Sequence, residues 1–130
     1  MKTFTLLMGS FYGMTSVLLG AFGAHTLKKT LGTEKLSSFE VGVRYQMYSA
    51  FFLLILGLFL KFESNTEKWI SILMLTGTLL FSGSIYLLSM QEAWRINLRF
   101  LGPATPIGGL MMILSWGFLL YTILSKGVSH

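Results

Sequence analysis

The apolar residues of the chain fall into four long runs separated by polar segments. These runs cover residues 4–23, 45–61, 69–90 and 104–124. A hydrocarbon layer about 30 Å thick requires about 20 apolar residues in a helix that rises 1.5 Å per residue. The second run is shorter, but its portion at 51–60 is almost purely apolar. Backbone amides in lipid must be satisfied within their own segment, which favours helices. The pattern therefore predicts an all-α fold, a four-helix transmembrane bundle in a single integral membrane domain of residues 1–130.

The segment between the first two runs has a different pattern. Gly32 is a helix breaker, and Thr33 is a candidate cap for a new helix. Apolar residues then recur at helical spacing, at Leu36, Phe39, Val43 and Met47. Ser37 and Glu40 fit a capping box and offer an alternative start. We therefore expect an interfacial amphipathic helix between the first and second spans.

The first run resembles a secretory signal, because Lys2 precedes it and a sequence rich in small residues, at 21–24, lies at its end. The apolar region of a signal peptide is about 7–15 residues long. This run is closer to twenty residues, so we interpret it as a membrane span.

Composition supports membrane insertion and argues against a soluble protein. Hydrophobic residues make up 53% of the 130 residues and charged residues only 12%, whereas soluble domains carry about 25% charged residues. The mean hydropathy is +0.68. The net charge of +5 comes from basic residues that flank the apolar runs instead of forming one basic face. We therefore expect no nucleic-acid partner, and we expect contact with membrane lipids.

The basic residues also suggest an orientation in which both termini lie on the same side of the membrane. One side would carry Lys28, Lys29, Lys35, Arg44, Arg95 and Arg99, and the other Lys2, Lys61, Lys68 and Lys126. The positive-inside rule then places the first and third connections in the cytoplasm and the termini outside. The second connection, Glu63–Glu67, is expected to be a short polar turn, and Ser125–His130 a frayed tail.

Small residues within the spans are candidates for helix packing, because they allow helix backbones to approach closely in lipid. Gly9, Gly13, Ser16 and Gly20 form one stripe on the first span. The corresponding candidates in the third and fourth spans are Ser82, Gly83, Ser84, Gly108 and Gly109. We predict a homo-oligomer driven by the first stripe or by residues 82–84. The alternative is that these residues pack only inside one bundle.

Polar residues near the helix ends form the candidate binding site. They are His25, Arg44, Tyr45, Gln46, Ser49 and Thr105. They line a polar cavity if the helix ends converge; otherwise they act as an interfacial anchor belt. Thr105 is also a candidate cap for the fourth span, with Pro106 at the first helical position. That helix start is either a rigid structural element or an anion-binding N-terminus.

Catalytic, metal and cofactor chemistry has little support. All five acidic residues are glutamates in the connections, at positions 34, 40, 63, 67 and 92. A proton-coupled carrier usually keeps a carboxylate in its core, and the small multidrug exporters of similar length depend on one. A metal site needs three or four ligands, whereas His25 has only the terminal His130 as a second histidine. We expect no metal, no cofactor and no catalytic residue.

Four motifs occur in order along almost the whole chain: GAFGAHTLK, YQMYSAFFLL, LLFSGSIYLLSM and LGPATPIGGLMMILSW. Together they resemble the bacterial inner-membrane family called domain of unknown function 423, which is similar to the eukaryotic transmembrane protein 256. The resemblance implies a small multi-pass protein of the inner membrane without an established activity. Family members commonly carry histidine at the position of Ser49, so the resemblance supports no two-histidine mechanism here. The matching positions are His25, Tyr45, Gln46, Ser82, Gly83, Ser84, Pro106, Gly108 and Gly109.

These observations favour a non-enzymatic structural or interaction protein of the membrane. The alternative is a passive pathway or binding protein for a small solute or lipid that uses the polar residues at the helix ends. An enzyme is the least supported class, because a histidine without a carboxylate in the bilayer lacks an acid–base partner.

Overall fold

The computed structural model describes residues 1–126, except for the side chains of Glu92 and Lys126. Within that range the chain forms four α-helices and two short 3₁₀ helices, and no strand. The 3₁₀ helices are Leu27–Lys29 and Arg99–Leu101. All four α-helices are long and apolar enough to cross a membrane, so the predicted all-α transmembrane fold is confirmed. They are α1 (Lys2–His25), α2 (Thr33–Phe59), α3 (Asn65–Trp94) and α4 (Ala104–Lys126).

Each helix packs antiparallel against the next one in the chain, because the connections between them are short. The start of α1 lies beside the end of α2, where the Lys2 ammonium donates to the Leu58 carbonyl over 3.5 Å. The Thr78 hydroxyl of α3 donates to Ser49 of α2, and Ser115 of α4 donates to the Ile70 carbonyl of α3. The first and third connections therefore lie at one end of the bundle, called the His25 end below.

The predicted interfacial helix is not a separate element. Residues 33–44 and the second span form one unbroken helix, α2, which begins at Thr33 instead of Tyr45 and ends at Phe59. The amphipathic pattern at its start arises because Phe39 is buried under the end of α1, where Gly23 lies close to its ring. Arg44 consequently lies inside a span, about 16 Å from the helix start at 1.5 Å per residue, and not in a connection.

The expected caps are also corrected. Gly32 is the N-cap of α2, with φ −65° and ψ 163°, and Thr33 is already helical. Because α4 begins at Ala104, Thr105 is likewise inside its helix, and its hydroxyl bonds to Ser84 of α3. The helix of α4 includes Ser125 and Lys126 of the expected frayed tail. Residues 127–130, with His130, lie outside the described range.

The second connection contains a capping box where the sequence pattern predicted only a polar turn. The Glu67 amide donates to Ser64 Oγ at 3.3 Å. In return Glu67 Oε2 accepts the amides of Glu63 at 3.0 Å and Ser64 at 3.4 Å. This reciprocal S-x-x-E arrangement satisfies amides that have no partner at a helix start. It fixes where α3 begins after the turn.

Glycines of α1 and α2 allow these two helices to approach closely. A Cβ added at Gly9 would lie 3.2 Å from the Ala50 carbonyl oxygen, and one added at Gly57 would lie 2.6 Å from Leu6 Cδ2. Gly20 and Gly13 face Val43 and Ala50 at ordinary contact distances of 3.4 and 3.7 Å. The whole stripe of α1 is therefore turned toward α2.

The tightest approach joins α3 to α4. A Cβ added at Gly108 would lie 2.6 Å from the Gly77 carbonyl oxygen and even closer to the Phe81 backbone nitrogen. Gly109 lies beside the Phe81 ring, where an added Cβ would be 3.5 Å from Phe81 Cδ2. Gly83, in contrast, has open space around its Cα, so it does not contribute to packing within the bundle.

These contacts bear on the predicted homo-oligomer. The candidate glycines of α1 pack inside the bundle, namely Gly9, Gly13 and Gly20. Ser82 and Ser84 also point into the bundle, where Ser82 bonds to the Gly42 carbonyl and Ser84 bonds to Thr105. The surfaces expected to drive association are thus occupied by neighbouring helices of the same chain. The homo-oligomer stays a prediction, and Gly83 and Gly117, both with open space, are the small residues available to another copy.

The Gly77–Gly108 contact gives a direct test of this packing. We expect Gly108→Ala to lower the free energy of unfolding by about 1–3 kcal/mol, because the methyl group collides with backbone atoms that cannot move aside. Gly117→Ala in the same helix meets no atom within 4 Å, so it should leave the free energy of unfolding unchanged or raise it by up to about 1 kcal/mol through the higher helix propensity of alanine. Denaturation by SDS in mixed micelles measures both. Equal stabilities of the two variants would contradict the close approach.

Candidate functional site: the Gln46 network and the groove between α2 and α4

Gln46 lies at the centre of a buried polar network that joins three helices. Its Nε2 donates to the Tyr12 carbonyl at 3.0 Å and to Thr15 Oγ1 at 2.6 Å. Its Oε1 accepts the Tyr86 hydroxyl at 2.6 Å. The side chain is only 6% exposed. Both amide hydrogens and the carbonyl of Gln46 are therefore used within the protein, in a region where lipid offers no alternative partner.

Local packing positions the Tyr86 hydroxyl for this contact. The Tyr86 ring packs against Phe39 with centroids 5.0 Å apart. The ring also lies directly over Gly42, where an added Cβ would be 2.8 Å from Tyr86 Cε1. Gly42 therefore makes room for an aromatic ring between α2 and α3.

Further hydrogen bonds connect the helices on both sides of Gln46. The bonds are 2.6–2.7 Å long and each joins two different helices. They link Thr5 with Ser71, the Tyr12 hydroxyl with the Leu75 carbonyl, Thr78 with Ser49, Ser82 with the Gly42 carbonyl, and Ser115 with the Ile70 carbonyl. Within the described residues, no fully enclosed side-chain nitrogen or oxygen lacks a hydrogen-bond partner. The interior polar groups thus act as cross-links between helices.

The structure separates the residues of the predicted binding site. Gln46 and Ser49 are buried, and Ser49 both accepts from Thr78 and donates to the Tyr45 carbonyl. The Tyr45 ring is 42% exposed and packs against Phe81 and Tyr48. His25 and Arg44 are exposed, and Thr105 is half-buried. The six residues therefore do not surround one cavity.

His25 in particular lies far from the Gln46 network. It is the last residue of α1, ten positions beyond Thr15, which corresponds to about 15 Å along the helix axis. In residues 1–126, neither His25 nor Arg44 forms a side-chain hydrogen bond or ion pair. No group of three histidine, cysteine or acidic residues is placed to hold a metal ion within this range.

The sequence pattern did not reveal the partners of Gln46. Tyr12, Thr15 and Tyr86 were not among the predicted site residues, nor was Thr78. Helical spacing could have identified Tyr12 as a buried polar residue. Tyr12 lies three residues after Gly9 and four before Ser16, so it shares the face of the small-residue stripe. A polar side chain on that face, deep in an apolar span, requires an internal partner.

A groove lies between α2 and α4, with α3 as its floor. One cavity of about 400 Å³ is bounded by Tyr45, Tyr48, Ser49, Met74, Phe81, Gly109, Met112, Ile113 and Trp116. A second, of about 350 Å³, shares Tyr48 and Trp116 and continues to Ile55 and Leu119. Phe52 and Trp116 meet across the groove with ring centroids 4.5 Å apart. Because Tyr48, Ile113 and Trp116 are more than half exposed, the groove opens on the lipid-facing surface.

A separate polar cavity lies between the same three helices at the His25 end. This cavity of about 220 Å³ is lined by residues of α2, α3 and α4, and it contains a lysine and three hydroxyl groups. The lining residues are Lys35, Ser38, Ile85, Leu88, Ser89 and Thr105. Thr105, one of the predicted site residues, thus borders a cavity with polar groups from three helices.

The fold and the polar cross-links define a small multi-pass integral membrane protein. Comparison with known families identifies it further: residues 19–109 match the family model described as a protein of unknown function, DUF423. The chain belongs to this family.

Known relatives extend the match to almost the whole chain. It is 40% identical to a UPF0382 membrane protein of Staphylococcus haemolyticus over 116 residues, which cover 89% of this chain and 90% of the relative. It is 35% identical to the UPF0382 inner membrane protein YgdD of Escherichia coli K12 over 133 residues, covering 98% and 96%. No solved structure matches the chain. The family resemblance and the membrane localisation predicted from the sequence are confirmed.

A double-mutant cycle tests the hydrogen bond between Gln46 and Tyr86. We expect Gln46→Leu to lower the free energy of unfolding by about 1–3 kcal/mol and Tyr86→Phe by about 1 kcal/mol, because each leaves a buried polar group without its partner. The coupling energy should lie near 0.6–1.7 kcal/mol, the range for hydrogen bonds between helices in membranes.

Tyr121→Phe is the matched control for this cycle. Tyr121 is 62% exposed on α4, so loss of its hydroxyl should change stability by less than about 0.5 kcal/mol. Additive effects of Gln46→Leu and Tyr86→Phe would show that the two side chains do not interact.

Proposed function

We propose that this protein of the cytoplasmic membrane is a non-enzymatic structural or interaction protein. The observation that carries the proposal is the bonding of Gln46, whose amide is fully used by Tyr12, Thr15 and Tyr86. A catalytic site needs an acid, a base or a nucleophile in reach of a substrate. The polar groups around Gln46 are instead neutral and hydrogen-bonded within the protein, as a rigid scaffold requires. The name of the Escherichia coli relative, an inner membrane protein, supports the location.

The geometry gives less support to the alternative of a passive pathway. A pathway for polar solutes needs a hydrated route between the helices, with polar groups available along it. In this bundle Tyr12 and Tyr86 contact Gln46, and the next two turns of α2 contribute the buried Ala50 and Leu53 to the core. The two cavities between α2 and α4 lie on the outer surface, where apolar and aromatic side chains surround them.

Solute flux into proteoliposomes separates these two functions. We expect vesicles with the protein to take up glycerol and potassium ions at the same rate as protein-free vesicles, because the network closes the interior. Stopped-flow light scattering and a potassium-sensitive dye measure the rates, with a channel-forming peptide as positive control for ion flux. Flux above that of protein-free vesicles, in proportion to the amount of protein, would contradict the proposal.

An interaction protein also needs a surface for partners, and a second copy of the chain is the partner predicted from the sequence. The open space at Gly83 and Gly117 supports contacts at these positions on α3 and α4. We expect native mass spectrometry in mild detergent to detect more than one copy per particle. Gly117→Phe should then shift the distribution toward monomer, whereas Gly13→Ala, inside the bundle, should not. Detection of monomer alone would end this part of the proposal.

A further inference from the structure

The polar cavity at the His25 end contains a buried hydroxyl group without a partner. Ser89 is 2% exposed and lines this cavity. Among the buried polar side chains of residues 1–126, Ser89 alone forms no hydrogen bond. Its oxygen is not fully enclosed, because no enclosed side-chain oxygen in this range is unsatisfied. The hydroxyl therefore faces the cavity and is available to a ligand.

The surroundings of Ser89 favour a ligand with negative charge. Lys35 of α2 is half-buried at the cavity and forms no ion pair within residues 1–126. The cavity also borders Thr105 at the start of the 23-residue α4. The first turn of a helix presents unpaired amides and a partial positive charge. One ammonium group, one helix N-terminus and the Ser38 and Ser89 hydroxyls match the several oxygen atoms of a phosphate group.

The two apolar cavities lie on the same helix faces as the polar cavity. On α2 successive lining positions lie 3, 7, 4 and 3 residues apart, so they share one face. They are Lys35, Ser38, Tyr45, Ser49 and Phe52. The polar cavity and the apolar groove therefore lie on the same face of α2, with the polar cavity nearer the His25 end.

The length of this arrangement matches one membrane leaflet. Ser38 and Phe52 are separated by about 21 Å along α2 at 1.5 Å per residue. Half of a bilayer, including its headgroup region, is roughly 20–22 Å. A phospholipid with its phosphate at the level of Ser38 would therefore have its acyl chains beside the apolar cavities.

We propose that the groove between α2 and α4 binds one anionic phospholipid, with its phosphate at Lys35 and Ser89 and one acyl chain along Tyr48 and Trp116. This site goes beyond the proposed structural role, which requires no specific lipid. A soluble phosphate would leave the apolar cavities unused. A second copy of the chain would leave Lys35 and the Ser89 hydroxyl without the negative charge that they complement.

Native mass spectrometry tests the proposal. Phosphatidylglycerol or phosphatidylethanolamine is added to the delipidated, full-length protein, and the bound lipid is measured. We expect one phosphatidylglycerol per chain, bound at least tenfold more tightly than phosphatidylethanolamine, whose ammonium group is repelled by Lys35. Lys35→Gln should weaken phosphatidylglycerol binding about tenfold through loss of a charge-assisted hydrogen bond. Lys28→Gln, which removes the same charge from an exposed residue at the same end of the bundle, should bind like the original protein.

A second pair of variants tests the acyl-chain part of the groove. Ile113 lines the groove and is 66% exposed, so Ile113→Trp fills the cavity without disturbing the core. We expect it to weaken phosphatidylglycerol binding. Leu114→Trp is the control, because Leu114 is 42% exposed at the same depth but does not border the groove. Circular dichroism verifies that all variants are folded.

A photoreactive phosphatidylglycerol, with a diazirine in its acyl chain, provides a measurement on the unaltered protein. We expect adducts in residues 48–56 and 109–119.

Adducts confined to α1, equal binding of the two lipids, or unchanged binding by Lys35→Gln would each overturn the proposal. It would also be overturned if inorganic phosphate alone bound as tightly as the lipid, or if Ile113→Trp altered only the oligomeric state. A negative result in these lipid-binding experiments would not change the solute flux expected in proteoliposomes, so the two proposals can fail independently.

Discussion

The absence of hydrogen-bond partners in hydrocarbon is the constraint on which this structure depends. A polar side chain on a membrane helix must find its partner on the same helix or on a neighbour. Gln46 meets this requirement with three bonds that reach α1 and α3. Since these bonds have fixed lengths and directions, they determine how the three helices are rotated and how far each is shifted along its axis. Gln46 is therefore a structural centre of the bundle.

Close packing at glycines explains why the helices form two tight pairs. Lipid and leucine side chains are similarly apolar, so burial by itself gives little preference for one helix contact over another. Gly9 and Gly57 bring α1 and α2 together, and Gly77 and Gly108 do the same for α3 and α4. Aromatic side chains such as Trp116 hold α2 and α4 further apart. The groove is thus the space that remains between two tight pairs.

The sequence was sufficient for the membrane fold but only partly sufficient for the site. Gln46 and Ser49 were recognised as polar residues in an apolar environment, and they belong to the internal hydrogen bonds. His25 was grouped with them because it follows an apolar run, yet it lies at the exposed end of α1. Ser89 was not predicted, because a serine near a helix end is common and indicates nothing until its neighbours are known.

The sequence by itself determined the number of spans, the helical class and the family, because these follow from hydrophobic length and from motifs that are local in the chain. The tertiary structure alone decided that α2 is one long helix, that the stripe on α1 faces α2, and that Tyr86 reaches Gln46. Rotation and axial shift of helices depend on contacts between residues far apart in the chain. Apolar periodicity cannot specify those contacts, since lipid and protein neighbours present the same apolar surface to a span.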